Sequence, residues 1–143
     1  MFRRILKLWN ELSTTEPPVL VEHNLAGVDL GGANMARADL RRARLQTTNL
    51  TGSMLEDADL READLSGAFL GWARLRGADL RGARMDGADL EGVDARNADL
   101  RGASLTGAHL EGMIVTGARI LEEDAERSGL CTAQLRGMRV ERG

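Results

Sequence analysis

The stretch Ala78-Asp79-Leu80-Arg81-Gly82-Ala83-Arg84-Met85-Asp86-Gly87-Ala88-Asp89-Leu90-Glu91-Gly92 is one five-residue phrase written three times. Each phrase holds a small residue, a polar one, a large apolar one, a polar one and a glycine. The phasing extends outward without interruption from His23 to Glu122, giving twenty consecutive units. The central column begins at Leu25 and ends at Ile120, with fifteen leucines in its twenty slots and Ala95 as its one small member. Two residues before each central position, fourteen of twenty slots are alanine; two residues after, twelve of twenty are glycine. Three phased columns of this purity mark a repeat architecture.

The columns dictate a backbone. Residues two apart in an extended segment point to the same side, so the small residue and the leucine face inward together. A straight strand would send the next-but-one residue inward as well, yet that slot is glycine, which tolerates the backbone angles of a corner. A helix is excluded, because a five-residue step rotates about 500° and would smear the leucines around its cylinder. The number of corners per coil is also legible. Ala-Asp-Leu-Arg occurs at 38–41, 58–61, 78–81 and 98–101, always twenty residues apart, which is four units per coil. At a strand separation of ~4.8 Å, about five stacked coils make a rod ~24 Å long. Core volume agrees with this register. Ala95 is preceded by Val93 where alanine is usual, a large–small exchange that close packing demands.

On these motifs the chain resembles the pentapeptide-repeat family, whose units run roughly A-(D/N)-L-x-x, over about 100 of its 143 residues. The resemblance implies an all-β fold, a right-handed four-sided β-helix with a narrow interior filled by side chains. It also implies a helical cap or a homodimer contact at one end. About function it implies little. One subset of the family resembles double-stranded DNA in shape and charge and binds type II topoisomerases, giving quinolone resistance or toxin immunity.

Composition sets the outer bounds. The chain is one domain's worth, without tyrosine and with four other aromatic residues, Phe2, Trp9, Phe69 and Trp72. A net charge of −3 is too near balance for a nucleic-acid-binding surface. A single Cys131 excludes an internal disulfide and fits a reducing cytoplasm. No apolar run approaches the ~18 residues of a membrane span, and Ile5–Trp9 is too short for a signal peptide. The expected organisation is a capping helix and linker over 1–22, the β-helix over 23–122, and a C-terminal helix with a partial coil or cap over 123–143. Phe2, Ile5, Leu6, Trp9 and Leu12 share one helical face, a lid for the first coil, before Pro17 and Pro18 stop the helix. A basic membrane contact through Arg3, Arg4 and Lys7 is the second reading of that segment. Leu121–Ser128 reads as a short acidic helix closed by Gly129, after which the repeat phase returns at 133–140 as a partial coil or end strand. Leu130, Leu135 and Val140 are expected to bury against the last coil.

Enzyme signals are nearly absent, and no cofactor or metal is called for. His23 and His109 fall on different coils, Cys131 has no nearby histidine, and no phosphate-binding glycine loop exists. The column Asp39, Asp59, Asp79 and Asp99 has an arginine two residues after each member, pointing the same way, so it reads as a self-neutralising ladder. The most acidic face is expected to carry Asp29, Asp89, Glu91 and Glu111, broken in its middle by Asn49, Thr51, Phe69 and Gly71. The most functional-looking feature is apolar. Phe69 and Trp72 fall in outward slots, with Met54 one coil earlier near the same corner and Arg74 and Arg76 beside them. Either this is an interface hot spot, or Trp72 lies flat over the glycine corners Gly52 and Gly92. Two functions follow: a non-enzymatic scaffold binding a protein partner, or a DNA mimic that binds DNA gyrase.

Overall fold

The computed structural model describes residues 16–143, so the expected capping helix over residues 2–13 lies outside the described residues. From Val19 onward the chain winds around four sides with a pitch of twenty residues. Seventeen isolated parallel bridges, from Val19↔Asp39 to Asp99↔Arg119, each join residues twenty apart. The ladder therefore starts one rung before the first expected repeat at His23. The rung is the residue just before each leucine. Leu25 N–H donates to the Arg44 carbonyl at 2.8 Å, and Arg44 N–H donates back to the His23 carbonyl at 2.9 Å. Four such columns give four faces, which we name after Leu25, Leu30, Met35 and Leu40.

Each side ends in a tight turn in which the amide three residues past the leucine returns to its carbonyl, as from Ala33 to Leu30 at 3.1 Å. The third residue of that turn has positive φ, +69° at Gly27 and +72° at Gly102, as a type II turn requires. Glycine is favoured there but is not obligatory. Glu22, Arg37, Arg42, Thr47, Asp57, Glu62, Trp72 and Asn97 all take φ between +54° and +61°. The stacked ladder imposes the corner on whatever residue arrives, at a cost of about 1–2 kcal/mol for an L-residue.

The interior is apolar and columnar. Leu40, Leu60, Leu80 and Leu100 are all fully buried, as are their alanines at 38, 58, 78 and 98. Ala95 and Val93 are both fully buried, consistent with the volume exchange read from the sequence. Burying a leucine side chain stabilises by about 1.5–3 kcal/mol, which makes these columns the main driving force. Among the described residues two polar side chains are fully buried in the repeat interior. Thr48 Oγ1 donates to the Leu25 carbonyl at 2.8 Å, whereas Ser53 Oγ is buried without a partner.

At the C-terminal end, strand β1 (Arg119–Leu121) pairs in parallel with β2 (Arg139–Glu141), so the Leu40 face gains one further rung. Between them lie helix α1 (Glu122–Arg127), with Ser128 as its C-cap, and helix α2 (Thr132–Arg136). The repeat phase at 133–137 thus does not continue the coil. Its backbone is helical, and the Gln134 side chain accepts the Cys131 amide at 2.9 Å to cap α2. Leu130 is buried and Leu135 half-buried, but Val140, paired with Ile120 on the last rung of the ladder, is 48% exposed and does not bury as expected. Among the described residues no helix is long and apolar enough to cross a membrane.

Candidate functional site

The Leu40 face carries the Ala-Asp-Leu-Arg repeats, and its chemistry is closed. Each aspartate accepts two hydrogen bonds from the arginine two residues on, at 2.8 and 2.7 Å for Asp39 and at 2.8 and 2.6 Å for Asp79. The same arginine reaches the aspartate of the next coil, 3.7 Å from Arg41 to Asp59 and 3.9 Å from Arg81 to Asp99. These arginines hold the carboxyls of Asp39 and Asp79 below the usual carboxylate range. At Asp99 burial pushes the carboxyl up, and hydrogen bonds from Arg101 outweigh it. Glu141 of β2 closes the zipper on Arg119 at 2.7 Å. A face whose acids are all answered in place offers little to a cation or an anion-binding protein.

The Leu30 face and the corner after it are different. The face's outward ladder runs Asp29, Asn49, Phe69, Asp89, His109. Phe69 is 49% exposed in the middle of it. The corner column above Gly32 reads Gly52, Trp72, Gly92, Gly112. Trp72 is its one non-glycine member, has φ +55° and is 63% exposed. Its indole leans toward the next coil: a Cβ placed on Gly92 would sit 2.6 Å from Trp72 Nε1. A Cβ placed on Gly52 would meet nothing within 4 Å. The ring therefore covers Gly92 and not Gly52, and the expectation that it shields both corners is corrected. Met54 lies on the adjoining Met35 face, half-buried, as a rung between Asn34 and Arg74.

The charged neighbours sort into two groups. Arg74 is taken up by Glu56 at 2.6 Å, and Arg76 lies 3.7 Å from Asp94. Asp89 stands one rung from Phe69 and accepts the Glu91 amide at 3.1 Å. Glu91 and Glu111 occupy equivalent positions on successive coils, Gly92 N–H donating to the Glu111 carbonyl at 2.9 Å. Asp29 is three rungs from Asp89, about 14 Å at the usual strand spacing, and bonds instead with Asn49 Nδ2 at 2.9 Å. The expected acidic face is therefore divided. Asp89, Glu91 and Glu111 form one group against the aromatic residues, and Asp29 stands apart.

Sequence reasoning missed how the ladder is finished. Gly102 N–H donates to Asp124 Oδ2 at 2.7 Å, where the register calls for a backbone carbonyl. Gln134 Nε2 donates at 3.1 Å to both the Leu110 and Met113 carbonyls. The Met113 carbonyl is the one that the main-chain amide of residue 134 would reach if the coil continued. Side chains on α1 and α2 thus stand in for the next coil. No periodic signal marks these roles, because Asp124 lies after the uninterrupted repeat and the phase at 133–137 reads Gln134 as an ordinary outward position. Elsewhere, His23 Nδ1 lies 3.0 Å from its neighbouring Val21 carbonyl, and His109 and Cys131 are exposed. Among the described residues no three histidine, cysteine or acidic groups are arranged to hold a metal ion.

Comparison with known proteins places this architecture. The family described as Pentapeptide repeats matches with eight copies, over residues 22–56, 43–82, 53–92 and 83–120. Among solved structures, the pentapeptide repeat protein Rfr23 from the cyanobacterium Cyanothece 51142 is 31% identical, with a TM-score of 0.66. That match covers 84% of this chain and 95% of Rfr23. A pentapeptide repeat protein of the Arabidopsis thaliana thylakoid lumen is 32% identical over 80% of this chain and 73% of its own, with a TM-score of 0.37. HetL of Nostoc, involved in heterocyst differentiation regulation, is 24% identical over 82% of each chain, with a TM-score of 0.48. A search of curated proteins gave no match. The uninterrupted five-residue phase, the four-sided ladder, the family match and the likeness to Rfr23 agree: the chain belongs to the pentapeptide-repeat family.

Proposed function

We propose that this chain is a rigid, non-catalytic rod that docks a protein partner on the corner made by Phe69 and Trp72, with Met54 on the adjoining side. The observation that carries the reading is Trp72. A large aromatic residue sits at φ +55° in a column otherwise made of glycine, and 63% of it faces solvent. A non-glycine residue at such an angle costs about 1–2 kcal/mol, and a ring left mostly in water recovers little of that by burial. Exposed aromatic residues close together are the usual anchors of protein interfaces.

The test is a pull-down from the native cell with mass spectrometry, run beside Phe69→Ser combined with Trp72→Gly. The expected result is a partner lost only with the double variant, whose thermal unfolding stays within a few degrees of the parent. Loss of fold in that variant, or a partner retained by it, overturns the reading. Recovery of DNA gyrase or topoisomerase IV subunits with both forms favours the DNA-mimic alternative instead.

A further inference from the structure

We infer that the partner of this corner is a basic protein segment, one that presents lysine or arginine side chains next to apolar ones. The inference rests on the proposed docking site and names the chemistry it takes. Three columns meet there: the Leu30-face ladder, and the two corner columns through Glu91 and Trp72. None of them contains a lysine or arginine. Asp89, Glu91 and Glu111 lie in these columns, and among the described residues no arginine or lysine forms an ion pair with any of them, the nearby Arg74 and Arg76 being turned to Glu56 and Asp94. The contrast with the Leu40 face is direct, because there Asp39, Asp79 and Asp99 each hold an arginine within 2.7 Å. Glu91 and Glu111 are stacked in register on successive coils, an arrangement of like charges that is unfavourable in the free protein. A cation seated between them removes that repulsion. Phe69 is the rung before Asp89, and Trp72 lies over Gly92 beside Glu91. Apolar side chains of the partner fit the two rings, and its cations fit the three carboxylates and the indole face. A nucleic acid or an anionic membrane surface would meet the same carboxylates with repulsion.

The test uses the full chain and two fluorescein-labelled synthetic peptides, one alternating lysine with phenylalanine and one alternating glutamate with phenylalanine. Binding is read by fluorescence anisotropy at physiological salt. The lysine peptide is expected to bind, weakening about tenfold with Asp89→Asn, Glu91→Gln and Glu111→Gln combined, as three exposed ion pairs allow. The glutamate peptide is expected not to bind. Equal binding of the lysine peptide to the parent and the amide variant overturns this inference while leaving the aromatic docking site standing. Equal binding to the parent and the Phe69→Ser, Trp72→Gly variant overturns the docking site as well. Absence of binding by the lysine peptide, or preference for the glutamate peptide, also overturns the inference.

Discussion

Replacing Ser53 with alanine should stabilise the protein. Ser53 is fully buried, and its hydroxyl has no hydrogen-bond partner. The equivalent slots one coil before and one coil after are Ala33 and Ala73, both buried, so the column already accommodates the smaller side chain. Burying a hydroxyl without a bond costs about 1–3 kcal/mol by mutational measures. Losing the few dispersion contacts of one oxygen offsets that by some tenths of a kcal/mol. The net expectation is a gain of about 1–2 kcal/mol. With a urea slope of about 2 kcal/mol/M, the unfolding midpoint moves up by about 0.5–1 M. Circular dichroism and tryptophan fluorescence should report coincident transitions, since a repeat rod can otherwise unfold in parts. Thr48→Val is the internal control. Its hydroxyl is bonded to the Leu25 carbonyl, which also receives the Val28 amide at 3.0 Å, so the substitution should be neutral or mildly destabilising. A Ser53→Ala variant no more stable than the parent refutes the reasoning, because the hydroxyl would then have a partner in solution.

Three further outcomes are expected. Leu80→Arg places an unpartnered charge between Leu60 and Leu100, all fully buried, at a cost of about 5 kcal/mol or more; circular dichroism should show no folded β-rich protein, and an unchanged spectrum would overturn the inward register. Asp39, Asp79, Asp94 and Asp99 all have lowered carboxyl pKa values, so their stabilisation is complete above the unfolded value near pH 4 and is lost as pH falls through the folded values. Urea midpoints measured from pH 6 downward should therefore drop below pH 4, with a shallower drop in Asp79→Asn. Gln134→Ala removes the donor to the Leu110 and Met113 carbonyls and the acceptor of the Cys131 amide; hydrogen exchange should quicken over residues 130–141 and stay unchanged through Leu25–Leu100.

What was legible in the sequence follows from where each residue points. Inward positions answer to a shared volume, so Leu80 can be assigned from its neighbours twenty residues away, and Val93 with Ala95 can be read as a compensated pair. The Asp–Arg zipper was legible for the same reason, since residues two apart on an extended segment share a side. The direction of a lone outward side chain has no such neighbour to fix it. Trp72 leans over Gly92 and leaves Gly52 uncovered, and no periodicity distinguishes those two outcomes. Arg74 and Arg76 look like companions of the aromatic pair in the sequence, yet Glu56 and Asp94 draw them into ion pairs. The C-terminal segment misled for a different reason. Its residues 133–137 keep the five-residue phase, yet the backbone there is helical and capped by its own Gln134, an outcome that the phase alone does not encode.

The separation of inward from outward columns also bears on how a function can arise on this fold. The ladder holds the corner angle at eight non-glycine residues as closely as at the glycines, with φ from +54° to +61° against +63° to +72° in the repeats. A corner slot therefore accepts almost any side chain for a local cost that the buried leucines easily outweigh. Most of the non-glycine occupants are polar or charged, and several gain a partner: Arg42 reaches Glu62 at 2.9 Å, and Thr47 Oγ1 donates to the Gln46 carbonyl at 2.7 Å. Trp72 pays the same angular strain, and more than half of it remains in water. On a scaffold where glycine is available at that slot, the proposed docking partner would account for a tryptophan left mostly in water. That is why the corner, and not the regular Asp–Arg face, is the surface on which to look for a partner.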